Sequence, residues 1–427
     1  MVRVINLSEA VKKVKTTADT TSYVRISKEP IFDSSFLAAA RPFVFPLLLK
    51  LFGNNTEKVV WAQGLFSTLS WSVLAVAVAY SLHFSFLKLA GFVLILFLSL
   101  YRYIIGWDSV LLTESLSLSL MALFITGWLW LLHGWRWQKA VFVLILGVFW
   151  MFCRDTNAWV VLMVAVFLLL LVVLRLINEK YLLLAAVFIF MFFLSDRSAD
   201  LGGRWIFPFQ NVLGRRILPD VRAVTFFASC GMPVSSDLAQ LAGEFASGLD
   251  RAFYNDPALE SYRTWLHQAG KTCYIKWLLS EPLESIKRPV AEFNALMRLE
   301  NIQSFLFSRR FSPILPARLE AMLYPPQQPW VAFLAACGII LVAGFNRALP
   351  YNKTWWAAVL LIILVFPHYF IVWHGDVMGI YRHVVSVSIQ FYLGLWILAL
   401  LIADWVLSLK VIQENRMGRL LLRGESQ

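Results

Sequence analysis

Apolar runs of spanning or near-spanning length recur along the chain, separated by short polar connections. They occupy 59–82, 86–106, 109–132, 140–153, 158–175, 181–195, 330–345, 355–373 and 384–408. A straight transmembrane helix needs about 20 apolar residues, so several of these runs are short. Only "RDTN" (154–157) separates the fourth from the fifth, which predicts a tight helical hairpin. The pattern predicts an all-α polytopic membrane protein of about nine transmembrane helices, with one large extracytoplasmic insertion between the sixth and the seventh. The expected organisation is an N-terminal extracytoplasmic loop over 1–56, a first transmembrane bundle over 57–195, a helical cap over 196–328, a second bundle over 329–409 and a cytoplasmic tail over 410–427.

Composition narrows the class. The chain is 59% apolar and 15% charged, with 18 Trp and 34 Phe, which excludes a large soluble core. A net charge of +12 would suggest nucleic acid as the partner of a soluble protein. Here much of that charge is topological, since 196–328 holds 15 Lys/Arg against 13 Asp/Glu. Anionic lipid headgroups are the expected partners of the basic loops, and nucleic acid is not one. Lys88, Arg136, Lys139, Arg175, Lys180, Arg347, Lys353 and Lys410 fall on one side of the predicted bundle, against Arg102, Arg154 and Arg382 on the other. The positive-inside rule makes the first side cytoplasmic. The location expected is a plasma membrane, with the bacterial inner membrane as the first choice, and a functional face on the extracytoplasmic side.

Nine spans with an inner C-terminus put residues 1–56 outside, yet no apolar segment carries them there, and "VKKVK" (11–15) brings no signal-peptide core. Either 1–56 is cytoplasmic and one span is miscounted, or a transmembrane helix precedes this reading frame; the second is the expectation. Within the insertion, Asp237 is expected to cap a helix over 235–253, and 260–289 mixes aromatics with charge as membrane-surface helices do. Cys230 and Cys273 share the insertion and could pair, and the four cysteines show no CxxC or zinc spacing. No P-loop, dinucleotide fingerprint or internal repeat is present.

Candidate chemistry gathers on the outer face, in "TTADTTSYVRI" (16–26), Asp108 with Glu114, Arg154 with Asp155, and "HGDVMGIYRH" (374–383). In "WDSVLLTESLSLSL" (107–120) Asp108 reads as a helix N-cap. Glu114 then lies six residues further on, about 9 Å along the axis. A carboxylate inside a span marks either function or a buried pair. Arg154 and Asp155 read as a hairpin-turn salt bridge or as functional groups, and Arg382 with His383 as a snorkelling pair or as functional groups. His374, Asp376 and His383 lack the support a metal site needs, and His368 beside Pro367 reads as a packing residue.

In order along the chain, "DTTSY" (19–23), "RPFVFPLLLKLFG" (41–53), "LLTESLSLSL" (111–120), "RDTNAW" (154–159) and "GDVMGIYRH" (375–383) resemble the GT-C superfamily of polytopic glycosyltransferases. That superfamily includes the dolichyl-phosphate-mannose protein mannosyltransferases and the aminoarabinose transferases. Each motif is weak alone; the ordered set runs the length of the chain. The resemblance implies transfer of a sugar, with inversion, from a polyprenyl-phosphate donor to a glycan, lipid or protein acceptor on the extracytoplasmic face. It assigns the catalytic base to an acid in the first outer loop, which Asp19 matches, with Glu114 and Asp108 as further catalytic candidates. Arg154, Arg382 and His383 would bind the substrate phosphate. Glu114 would position the acceptor, support the base or hold a divalent cation; no cofactor is required and a divalent cation is optional. The family's helix before that acid is absent here, the same gap that the parity count exposes. The chemistry suits these residue types, because the arginine fork matches phosphate and an acceptor hydroxyl needs a carboxylate to take its proton. Two rival classes remain. A lipid or solute transporter would show paired broken helices in two related halves, and an O-antigen polymerase or ligase would share the lipid-linked donor and differ in acceptor.

Overall fold

The structure is a computed structural model and describes residues 2–12, 14–298, 314–325, 327–345 and 353–424. Among the described residues every regular element is helical, apart from an isolated parallel bridge between Lys15 and Val110. Two short helices come first, α1 (Val2–Val11) and α2 (Ala18–Ser27). A first apolar group follows: α3 (Thr56–Tyr80), α4 (Ser85–Ser99), α5 (Thr113–His133), α6 (Trp137–Met151), α7 (Asp155–Val173) and α8 (Tyr181–Leu201). The cap opens with α9 (Ile206–Val212) and includes α10 (Lys271–Ser280), and α11 (Pro282–Met297) leads away from it. The last group is α12 (Pro329–Phe345), α13 (Trp355–Ile363), α14 (Val365–Gly375) and α15 (Ile380–Gly424).

The described architecture is all-α, with apolar helices of the kind a polytopic membrane protein needs. Six stretches are long and apolar enough to cross a bilayer: α3, α5, α7, α8, the combined Trp355–Gly375, and α15 over Ile380–Leu409. α4 qualifies only together with the turns Arg102–Ser109, bent from it by 54°. α6 and α12 are apolar but short; the 15 residues of α6 reach about 22 Å, less than the ~30 Å hydrocarbon core. Each of the nine expected runs has an apolar helix, but six of them, or seven with the bent pair, meet the spanning length.

The bend after α4 has a local cause. Tyr101 leaves the helical conformation and stacks on Tyr324 with ring centroids 3.9 Å apart. The Tyr324 hydroxyl donates to the Leu98 carbonyl (2.9 Å), which also accepts the Tyr101 N–H (3.2 Å), and Arg102 pairs with Glu320. At the centre of the bundle α5 is buried almost throughout. Its neighbours α6 and α8 approach closely at Gly147, where a Cβ would strike Phe188 and Phe124.

The expected start of α5 is corrected. Asp108 is not its N-cap: it lies in a 3-10 turn (Gly106–Ser109), Val110 and Leu112 are extended, and the helix begins at Thr113. The chain is diverted because Lys15 N–H donates to the Ser109 carbonyl and Leu111 N–H donates to the Lys15 carbonyl, both at 3.0 Å. Glu114 thus occupies the first turn, where the helix dipole favours a carboxylate.

The cap has its own core, built on Phe209, Leu213, Phe227, Phe253, Tyr262 and Trp265. The expected helix over 235–253 breaks up: Ser236–Ala239 is helical and capped by Ser235 rather than Asp237, Gly243 at φ +89° turns the chain further on, and helical turns resume at Leu249–Arg251. In 260–289 the aromatics Tyr262 and Trp265 face that core, while Ile275, Leu279 and Leu283 stay exposed. Cys230 and Cys273 are free thiols. α11 belongs with the bundle, since Phe293, Leu296 and Met297 join the membrane core.

Candidate active site

Helix starts, rather than helix interiors, supply the polar groups at one end of the bundle. Asp19 and Glu114 lie in the first turns of α2 and α5, Arg154 is the extended residue capping α7, and Arg382 opens α15. The fold joins all four. Arg382 spans two carboxylates: Nη1 donates to Asp19 Oδ2 at 2.8 Å, and Nε donates to Glu114 Oε1. Arg154 Nη1 lies 3.6 Å from the same Glu114 oxygen. Arg41 Nη2 donates to the other oxygen of Asp19 at 2.5 Å and its guanidinium covers the Tyr23 ring. Three guanidiniums thus face two carboxylates, beside helix N-termini whose dipoles also favour anions.

The two carboxylates differ in access. Glu114 is sealed, with 1% of its side chain exposed and Oε2 without a hydrogen-bond partner. Asp19 keeps 27% of its side chain open. Burial pushes its carboxyl up, but Arg41 and Arg382 outweigh burial and hold it below the usual carboxylate range. Asp19 is therefore ionised and reachable. Its helix is tied to the segment before α5 by the Thr20 hydroxyl, which donates to the Leu111 carbonyl (3.0 Å), and that segment is held in turn by Gln63 Nε2, which donates to the carbonyls of Asp108 and Val110 (3.2 and 3.1 Å).

A chain of polar groups continues from Arg154. Its Nη2 meets His383 Nδ1 at 2.7 Å. A guanidinium only donates, so Nδ1 accepts, and the ring proton resides on Nε2. That nitrogen lies 3.8 Å from Asp376 Oδ2. Asp376 Oδ1 accepts from Asn211 Nδ2 (3.0 Å) and from Met378 N–H (2.8 Å). Burial dominates at this carboxyl and pushes it up to about 7, against the opposing pull of those two hydrogen bonds.

Several expected pairings resolve differently. Arg154 and Asp155 do not pair with each other: Asp155 accepts from Arg204 Nε at 3.0 Å, and Arg154 turns inward. Asp108 stands apart from the cluster, its oxygens taken by Arg3 Nη2 (3.0 Å) and the Ser115 hydroxyl (2.6 Å). His374 turns into the cap, facing the Tyr274 hydroxyl and the Ser285 carbonyl. His368 is buried against Gln390, a packing role. Among the described residues no group of three His, Cys, Asp or Glu is placed to hold a metal ion. Arg41 heads "RPFVFPLLLKLFG" (41–53) without being marked there as a site residue, and nothing in the sequence marks Arg3 or Asn211; a further signal for Arg41 is that Asp19 and Tyr23, both of which it touches, share one face of α2 at i,i+4.

The arrangement is a cation-rich cluster at one end of the helical bundle, with one partly exposed carboxylate. No family model, no curated protein and no solved structure matches the chain.

Proposed function

We propose that the chain is an integral-membrane glycosyltransferase of the GT-C type, moving a sugar from a polyprenyl-phosphate donor to an acceptor hydroxyl at the extracytoplasmic face. One observation carries the reading: Asp19, Glu114, Arg154 and Arg382, up to 363 residues apart in sequence, form one cluster at the end of the bundle. Arg154 and Arg382 bind the donor phosphate while Glu114 keeps its contacts to both, and arginine's fork fits that geometry. Asp19 takes the proton of the acceptor hydroxyl. The acceptor oxygen forms its bond to the anomeric carbon as the bond from that carbon to the phosphate oxygen breaks. The phosphate leaves with the electron pair, held by the arginines, and the configuration inverts. Glu114 is too buried to meet an acceptor, so it holds the two arginines in register as a positioning residue. Asp108 lies outside this machinery and braces the loop before α5.

The test is transfer of a labelled sugar from a polyprenyl-phosphate donor in membranes carrying the chain. Arg154→Gln and Arg382→Gln should each lose donor binding as well as turnover. Normal donor affinity in both variants would refute the phosphate assignment.

A further inference from the structure

A second cationic site lies in the cap, away from the cluster just described. Between α9 and α10 the chain forms a π-helical turn over Leu213–Ile217, a form used mostly as a local bulge and often at functional sites. The turn carries Arg216 against α14. Its Nη1 donates to the Trp373 carbonyl and its guanidinium stacks 3.4 Å from the centre of the Trp373 ring. Beside it is a cavity of about 40 Å³ lined by Arg216, Arg222, Arg288, Tyr274, Ser285 and Trp373, together with Glu281 and Glu284.

The charges of that lining are mostly spoken for. Arg288 and Arg222 both turn to Asp220, at 2.8 and 3.8 Å, and Glu284 pairs with Lys287 at 3.4 Å. Arg216 makes no ion pair with any described residue. A neutral donor would bond the Trp373 carbonyl and dock the cap on α14 without placing a charge away from water, which is costly when unpaired. Burial pulls Arg216 below the usual guanidinium range, against the weaker opposing pull of Tyr274, Glu292, Tyr369 and Asp376.

We infer that this cavity is an oxyanion site in which Arg216 holds a phosphate or carboxylate group. At roughly 10–15 Å³ per water, the volume suits such a group and not a whole sugar ring. The group is a substituent of the acceptor or a lipid headgroup, both offering the same chemistry. The oxyanion site itself shares no residue with the first cluster, because Arg216 touches none of Asp19, Glu114, Arg154 or Arg382; only the acceptor-substituent assignment rests on the transferase reading.

The chain in a non-ionic detergent would be titrated with inorganic phosphate, a hexose phosphate and the uncharged hexose, following its thermal unfolding. Saturable stabilisation by the first two and none by the third is expected. Arg216→Gln should weaken it about tenfold or more, the worth of a charge-assisted hydrogen bond. Arg216→Lys, which keeps the charge, should retain part of the effect and so separates lost binding from lost fold. Arg382→Gln should abolish sugar transfer and leave this binding in place. A second arm adds phosphatidylglycerol to the micelles: a response exceeding that of hexose phosphate identifies a headgroup, and the reverse identifies an acceptor substituent. Phosphate binding that is not saturable, or is unchanged in Arg216→Gln, overturns the site.

Discussion

Glu114 lies between two guanidiniums with 1% of its side chain exposed, and its removal has two separate consequences. Glu114→Gln leaves buried cations short of a partner, which should cost about 3–5 kcal/mol of stability. It should also slow transfer by about 10²-fold, the cost of misplacing the phosphate-binding arginines. Thermal unfolding and sugar transfer measured on the same preparation check both, and a variant as stable as the parent would contradict the positioning role. Asp376 offers a pH signature. Its carboxyl, raised by burial to about 7 from 3.8, stays protonated in the folded chain while the unfolded chain ionises. The folded state then binds more protons between about pH 4 and 7, so stability falls across that window as pH rises. Asp376→Asn should flatten the slope; equal slopes in the two proteins would refute the assignment. At this scale the sequence exposed the acids and arginines as outer-face candidates. It could not show which of them meet, because Arg382 pairs with groups 268 and 363 residues away.

Helix boundaries decide how those side chains are presented. The hydropathy of 109–132 runs on without a break, so it marks the apolar helix but not its first turn. Pairing of 109–111 with Lys15, a tertiary effect, moves the start to Thr113 and converts Glu114 from an interior charge to a first-turn one. The end of α8 works in the same way on Arg41. Arg204 donates to the Ala39 carbonyl (3.2 Å), and Gly202 packs so closely there that a Cβ would press on the Ala38 and Ala39 carbonyl oxygens. Gly202→Ala should displace the segment that carries Arg41, costing about 1–3 kcal/mol and lowering transfer. A variant with parental stability would show that the segment yields without consequence.

Across the whole molecule, hydropathy located the apolar helices of the bundle because a bilayer imposes a length and a composition on every crossing. It overstated the number that are long enough, since α6 and α12 are apolar yet short. Charge asymmetry predicts that the cap and the end of α15 lie on opposite sides of the membrane. Cysteines introduced at exposed Leu249 in the cap and exposed Leu409 in α15 should differ in labelling by an impermeant reagent, and equal labelling from outside would refute that topology. Asp19, the accessible carboxylate held between Arg41 and Arg382, is the proposed base. Asp19→Asn keeps the size of the side chain and one of its two acceptor oxygens, and removes the base. The decisive measurement is sugar transfer from a polyprenyl-phosphate donor by Asp19→Asn, alongside donor binding. The account predicts turnover down by about 10²-fold or more with the donor still bound, whereas near-normal turnover would contradict it.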